Sequence, residues 1–226
     1  MPDIVIAAKC APQEGILSAI RSSGLEAVEL YLSRQIVSDL GAVIRTARKF
    51  PFRYALHAPK DSYDPVGLQR LAEAIGARVI VFHDIYWDDE WKRIVNVFKS
   101  SGIKLCVENT SDVDQPLKFM RRWGLGRCLD LEHLQMQCAG VYEKEFMLVM
   151  AQAGHVHLTG YVAGSDRWHS HIHHSRRHGF YMLDLLRASG YKGMVVSEAR
   201  VGLQTFAEFK KLHGFYRSWE QKGRKR

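Results

Sequence analysis

The sequence predicts a (β/α)8 barrel, and three observations carry that reading. Short apolar runs alternate with helical patterns, glycines stand where those helices should end, and six metal-grade side chains close six of the runs. The six are His57, His83, Glu108, Asp130, His157 and Glu198. The first five follow one another at intervals of 26, 25, 22 and 27 positions, each close to one strand-plus-helix unit. Parallel strands from such units close into a barrel whose reactive groups gather at the C-terminal strand ends. An open doubly wound sheet ranks second, because it concentrates its chemistry at one switch point rather than at six successive strand ends.

In chain order, Ile4 to Ala8 and Ala27 to Tyr31 read as the first two strands. Tyr54 to Leu56 then leads to His57, Val79 to Phe82 to His83, Ile103 to Val107 to Glu108, and Gly126 to Leu129 to Asp130. Val156 with its neighbours leads to His157, and Met194 to Ser197 leads to Glu198, which completes eight. Helical spacing connects Ile16, Leu17 and Ile20, then Leu117, Phe119 and Met120, then Leu183, Leu185 and Leu186. Gly24, Gly76, Gly102, Gly124, Gly154 and Gly190 fall shortly before strands, where a helix C-cap is expected. The last helical pattern carries Phe206, Phe209, Leu212, Phe215, Tyr216 and Trp219, more large aromatics than one docking stripe needs. The surplus suits a partner subunit, and so a homo-oligomer.

A chain of 226 residues suits one barrel domain spanning 1–226, since such barrels take about 250 residues. No linker or low-complexity tract divides it. The start lacks a basic segment followed by a long apolar stretch, and no run is long enough to span a bilayer. A soluble cytoplasmic protein without a membrane partner is therefore expected. Cys10, Cys106, Cys128 and Cys138 show no paired metal spacing and read as reduced thiols used as small apolar residues. The net charge of +8 invites a nucleic-acid reading, but half of it lies in the last ten positions. That basic tail, 220–226 in particular, is expected to be frayed and solvated. The longest connection, from Leu158 to about Phe180, is rich in His and Arg, and its length points to function. Arg176 and Arg177 within it are candidate phosphate-binding residues, because barrels of this kind often hold a phosphate beside strand seven.

Glu108, Asp130, His157 and Glu198 form a set of three anions and one neutral imidazole, which favours Mn, Mg, Co or Zn over thiophilic ions. Three carboxylates at one rim would repel one another without a cation. Glu108 and Glu198 are the candidate catalytic pair, placed to move a proton on and off carbon beside a polarised carbonyl. His155 shares a strand face with His157 and is expected in the interior, in need of a hydrogen-bond partner. Glu132 is expected to face away and be solvated, and Glu29 to hold a neighbour of the site or the barrel rim. Within the long loop His173 and His171 are expected to face the site. Tyr86 and Trp87 are the best aromatic candidates for stacking on a substrate, ahead of Trp91, Tyr161 and Trp168.

At these residues the sequence resembles the xylose isomerase-like barrel superfamily, which holds sugar isomerases and epimerases together with endonuclease IV. The resemblance covers nearly the whole chain. It rests on Glu29 in AVELYL, His57 in LHAP, His83 in VIVFHD and Glu108 in CVENT, and continues with Asp130 and His133 in CLDLEH, His157 in HVHL and Glu198 closing GYKGMVVSE. For the isomerase branch it implies one metal held by Glu108, Asp130, His157 and Glu198, with the two glutamates as acid and base and His133 touching substrate. For the endonuclease branch it implies a three-zinc cluster that also recruits His57, His83, His133 and an Asp-x-His pair in the long loop. In HIHHSRRHG the residues His173, His174, Ser175 and Gly179 fit that loop, but His171 stands where Asp is expected. The chain is also short for an endonuclease of that kind.

The leading expectation is a divalent-metal-dependent isomerase or epimerase acting on a sugar, sugar phosphate or polyol. The alternative is a hydrolase of abasic DNA or another phosphodiester with three zinc ions, for which DNA would be the partner. A third is a barrel that binds a sugar or a metal without turnover.

Overall fold

A computed structural model describes residues 3–110, 115–133, 147–161 and 169–224. Eight parallel strands close on themselves in sequence order: β1 (Ile4–Cys10), β2 (Ala27–Tyr31), β3 (Arg53–His57), β4 (Val79–Phe82), β5 (Lys104–Glu108), β6 (Gly126–Asp130), β7 (Ala153–His157) and β8 (Gly193–Ser197), which pairs back to β1. Their near-continuous apolar runs suit strands covered on both faces, and the burial patterns are correspondingly buried along most of each strand.

Helices α1 (Glu14–Ser23), α2 (Arg34–Val37), α3 (Leu40–Arg48), α4 (Pro65–Ile75) and α5 (Asp88–Phe98) form the outer ring of the first half. They are followed by α6 (Gln115–Trp123), α7 (Met147–Met150), α8 (Arg176–Ala188) and α9 (Phe206–Arg224). Asp64 caps α4 by accepting a hydrogen bond from the Gly67 amide, with Pro65 in the first turn. Gly24 and Gly76 end α1 and α4 at φ of 94° and 71°, a left-handed conformation that favours glycine. Gly154 is no cap. It lies inside β7 at a shift in register, where Arg127 pairs with Ala153 and Cys128 already pairs with His155, so it is the extra residue of a bulge.

The aromatic stripe of α9 is spent inside the chain. Phe209, Leu212, Phe215, Tyr216 and Trp219 are all buried, and only Phe206 is largely exposed. The Tyr216 hydroxyl donates to the Ile4 carbonyl, the Trp219 indole donates to Asp184, and the Arg187 guanidinium lies 3.7 Å over the Trp219 ring. The aromatic surplus that suggested a partner subunit therefore has an intramolecular use. The basic tail is helical as far as Arg224, with Glu220 buried beside Tyr216 and Arg217.

No helix among the described residues is long and apolar enough to cross a membrane. Cys10, Cys106 and Cys128 are buried free thiols, as expected, and burial pushes the Cys10 thiol up to about 12. Cys138 lies outside the described residues.

Beyond β7, Gly160 pairs with Ser170 through reciprocal backbone hydrogen bonds of 2.7 and 3.2 Å. A Cβ at Gly160 would come within 2.5 Å of the His171 carbonyl oxygen and 2.9 Å of the Ile172 Cα, both backbone atoms. Gly160→Ala is expected to destabilise the fold by about 1–3 kcal/mol, the usual cost of overpacking a closed contact. A urea titration of the variant against the parent measures it.

Candidate metal centre

Glu108, Asp130 and His157 are the last residues of β5, β6 and β7, and Glu198 follows β8 by one position. Because successive strand residues alternate between faces, this placement aims all four into the C-terminal mouth of the barrel. Each offers one ligand atom, and the four atoms lie within 4.8 Å of one another. The His157 Nδ1 is the hub, 3.0 Å from Glu108 Oε1, 3.5 Å from Glu198 Oε2 and 3.8 Å from Asp130 Oδ2.

The opposite nitrogen of His157 points into the barrel. Its Nε2 lies 3.1 Å from one oxygen of Glu29 and 3.2 Å from the other. Glu29 is fully buried and also meets His155 Nε2 at 2.7 Å and Lys9 Nζ at 3.5 Å. It thus holds two imidazoles: His155, the interior histidine that needed a partner, and His157, whose ring it orients.

Lys9, which no motif in the sequence singles out, reaches from β1 to ion-pair with Glu198 Oε1. Burial alone would lower its ammonium, but Glu198, Glu29 and Glu108 outweigh that and hold it above its ordinary range. The carboxylates respond in kind. Burial pushes Glu108 up, yet the charge of His157 and hydrogen bonds from His157 and His57 bring it well below the usual range. Asp130 goes the other way, raised to about 6 by burial and by the negative charge of Glu108, against the pull of His157. Its Oδ2 is buried with no hydrogen-bond partner among the described residues. A buried acceptor without a donor, facing two other carboxylates and an imidazole nitrogen, is an arrangement that a divalent cation satisfies. The residues present therefore fit such an ion, and the hard oxygen donors with one imidazole match the set inferred from sequence.

Three of the further histidines join this cluster. His57 Nε2 and His83 Nε2 lie 3.1 and 3.2 Å from Glu108 Oε2, and the two rings are 5.0 Å apart. His133 stands at the rim, its Nδ1 3.0 Å from the Asn109 carbonyl and 3.5 Å from Asp130 Oδ2. Two do not join it. His171 is buried with its ring nitrogens on the Ser197 hydroxyl and the Leu203 carbonyl, both at 3.2 Å. His173 meets Glu208 on α9.

Other residues also fall elsewhere than expected. Arg176 and Arg177 are exposed on the first turn of α8, with Arg176 stacked 4.7 Å over Phe180, and neither lines the cavity at the mouth. Glu132 is buried, not solvated, because the Thr159 hydroxyl and His169 Nδ1 supply it with donors. Tyr86 packs on Phe82, Trp91 and Tyr63 with its hydroxyl on the Pro59 carbonyl, while Trp87 is 79% exposed. Trp168 lies outside the described residues.

Beside the cluster opens a cavity of about 390 Å³, lined by Lys9, Gln13, His169, Glu198, Arg200 and Gln204 together with an apolar wall that includes Ile16, Tyr31, Ile36 and Val201. Its size is in the range of small-molecule sites.

The fold and the mouth define a class: a (β/α)8 barrel with a buried carboxylate–imidazole cluster at its C-terminal strand ends. No protein-family model matches the sequence, and no curated protein matches it either. Among solved structures, D-allulose 3-epimerase from Methylomonas sp. is similar over 97% of this chain and 99% of that one, at 12% identity and a TM-score of 0.66. A xylose isomerase domain protein from Planctomyces limnophilus is similar over 97% of each chain, at 12% identity and a TM-score of 0.67. The TTHB071 protein from Thermus thermophilus, soaked with ZnCl2, is similar over 96% of this chain and 99% of that one, at 20% identity and a TM-score of 0.63. At such identities the likeness is one of fold alone, a (β/α)8 barrel.

Asn109, one residue past β5, fixes the tip of β6. Its side-chain carbonyl accepts from the Asp130 amide at 2.8 Å and its amide donates to the Asp130 carbonyl at 3.0 Å. Both bonds are buried, so Asn109→Ala leaves two backbone groups unpaired and is expected to cost about 1–3 kcal/mol for each group so orphaned. Chemical denaturation of the metal-free variant reads that loss apart from any effect on ligands.

Proposed function

We propose that the protein is a divalent-metal-dependent isomerase or epimerase acting on a sugar, sugar phosphate or polyol by proton transfer at carbon. The observation that carries the reading is the convergence of Glu108, Asp130, His157 and Glu198 beside a ligand-sized cavity onto which Glu198 opens. These four residues would hold the ion, one of Mn, Mg, Co or Zn. Once bound, the dication polarises a substrate carbonyl and acidifies the neighbouring hydroxyl.

The remaining work falls to side chains. Glu198, anionic beside Lys9, takes or returns the carbon-bound proton from the cavity side. Glu108 is its partner and is held in place by His57, His83 and His157. Lys9 and Arg200 supply positive charge to an oxygen-rich ligand, while Gln13 and Gln204 offer neutral hydrogen bonds to hydroxyls. The D-allulose 3-epimerase likeness supports this substrate class. Small-molecule carbohydrate is accordingly the proposed partner.

The closeness of His57 and His83 to Glu108 favours a second reading, a phosphodiester hydrolase with additional ions at the mouth. Two metal ions there would stabilise the attacking and leaving oxygens together. The count of ions at the mouth separates the two, one for the isomerase and more for the hydrolase.

Metal-loaded protein in deuterated water, offered a panel of ketoses, inosose-like polyols and their phosphates, is expected to wash deuterium into a carbon position of at least one of them. Glu198→Gln should slow that exchange by about 10²–10⁴-fold, the usual worth of a general acid–base. Glu108→Gln should lose metal as well as exchange. No exchange with any member of the panel would remove the proposal.

Glu29→Gln leaves the four ligands intact but replaces the acceptor that orients His157. Metal affinity at the mouth is expected to fall by about 10–100-fold, as for other partners of a ligating histidine. Competition with a chromophoric chelator measures the change.

A further inference from the structure

Outside the barrel mouth, a second group of donors converges between the turn that follows the long β7 loop and the last helix. The 3-10 turn Ile172–Ser175 is pinned to the barrel from one side, because the Ile172 amide donates to the Ser197 hydroxyl at 3.1 Å and His171 holds the same hydroxyl. That anchor presents the next two residues, His173 and His174, to the first turn of α9. Glu208 waits there, its amide bonded to the Thr205 hydroxyl at 3.3 Å. His173 Nε2 and His174 Nε2 lie 3.0 and 2.7 Å from one oxygen, Glu208 Oε2, and the two rings are 4.4 Å apart. The three residues can each offer a ligand atom within 4.8 Å of the others.

A plain hydrogen-bonded trio accounts for His174 but not for His173. The His173 side chain is only 10% exposed, and neither of its ring nitrogens, both buried, finds a hydrogen-bond partner among the described residues. Its Nε2 sits at hydrogen-bond distance from Glu208 without the direction of a bond. Buried nitrogens without a partner among the described residues call for an ion or another group to satisfy them. The protonation states suit a cation. Burial, with His174 adding to it, brings His173 down to about 4, so its ring is neutral at physiological pH. Burial pushes Glu208 up, but Lys211 and the two histidines hold it at about 2. Lys211, 2.7 Å from Glu208 Oε1, is 61% exposed and leaves Oε2 to the histidines.

We propose that His173, His174 and Glu208 form a second divalent-cation site, separate from the barrel mouth, for a borderline ion such as zinc, cobalt or nickel. Two imidazoles and a carboxylate make a three-ligand set that leaves a fourth position for water, open on the side of His174. An ion there ties the end of the long loop to α9 and, through His171 and Ser197, braces the residue next to Glu198. It is a clamp on the loop and takes no part in the proton transfer.

The test uses the full chain loaded with zinc, passed through gel filtration and analysed for metal per chain. Glu108→Gln/Asp130→Asn, which weakens the mouth, should retain one tightly held zinc, and adding His173→Ala/His174→Ala should remove it. The His173→Ala/His174→Ala variant on its own should carry one zinc fewer than the parent and lose the zinc-dependent rise in melting temperature that this site contributes. Circular dichroism establishes that the variants are folded. If the double histidine variant does not fold, Glu208→Gln, which removes charge without volume, must lose the same one ion. Equal zinc content in the parent and a folded variant lacking these donors, across micromolar free zinc, overturns the proposal. Because the count is taken with the mouth disabled, it stands apart from whether the protein isomerises a sugar.

Discussion

Negative charge crowded into the buried interior of a closed cylinder is the constraint on which this barrel depends. Glu29, Glu108 and Asp130 are almost completely buried, and Glu198 is little more exposed. Ions taken from water at such depth are tolerated only with opposite charge and well-directed hydrogen bonds around them. In this chain the compensation comes from strands far apart in sequence: Lys9 on β1, His155 and His157 on β7, and His57 at the end of β3. No local segment can satisfy these groups by itself. Closure of all eight strands and neutralisation of the mouth are therefore one problem, and a slip of one residue in any strand would turn its charged group toward the helix layer.

The same dependence explains what was legible beforehand. A polar residue that ends an apolar run is visible without knowing its partners, so His57, Glu108, Asp130 and His157 could be placed at strand ends from spacing alone. Their agreement in depth then follows from the shear of a closed parallel sheet. Lys9 was not legible by that route. The apolar run of the first strand ends at Ala8, and a lysine just beyond a strand ordinarily reaches solvent; only Glu29, Glu108 and Glu198 give it a reason to stay inside. Asn109 was hidden for a related reason, since its worth lies in two backbone groups of Asp130, a residue 21 positions later.

The loop histidines show the limit more sharply. His171 and His173 alternate in a sequence that suggests a common target, yet one bonds to Ser197 and Leu203 and the other turns to Glu208. The 3-10 turn between Ile172 and Ser175 breaks the two-residue alternation on which that reading relied. Glu132 is buried against expectation because its donors, Thr159 and His169, come from segments after β7 that reach it. In each case the deciding partner stands on another turn of the chain, and pattern within a segment carries no information about it.

The two glutamates that sequence treats as a pair are unequal in space. Both oxygens of Glu108 are engaged, Oε1 with His157 and Oε2 with His57 and His83, and the residue is absent from the described lining of the cavity. Glu198 divides its oxygens: Oε2 faces the His157 nitrogen at the cluster, and Oε1 faces Lys9 on the cavity side. A carboxylate so divided can serve a cation with one oxygen and a substrate proton with the other. The adjacent ammonium favours the ionised form, which is the form a base needs. Under the proposed function, proton transfer would run mainly through Glu198, with Glu108 as the anchor that fixes the charge around which the other donors are arranged.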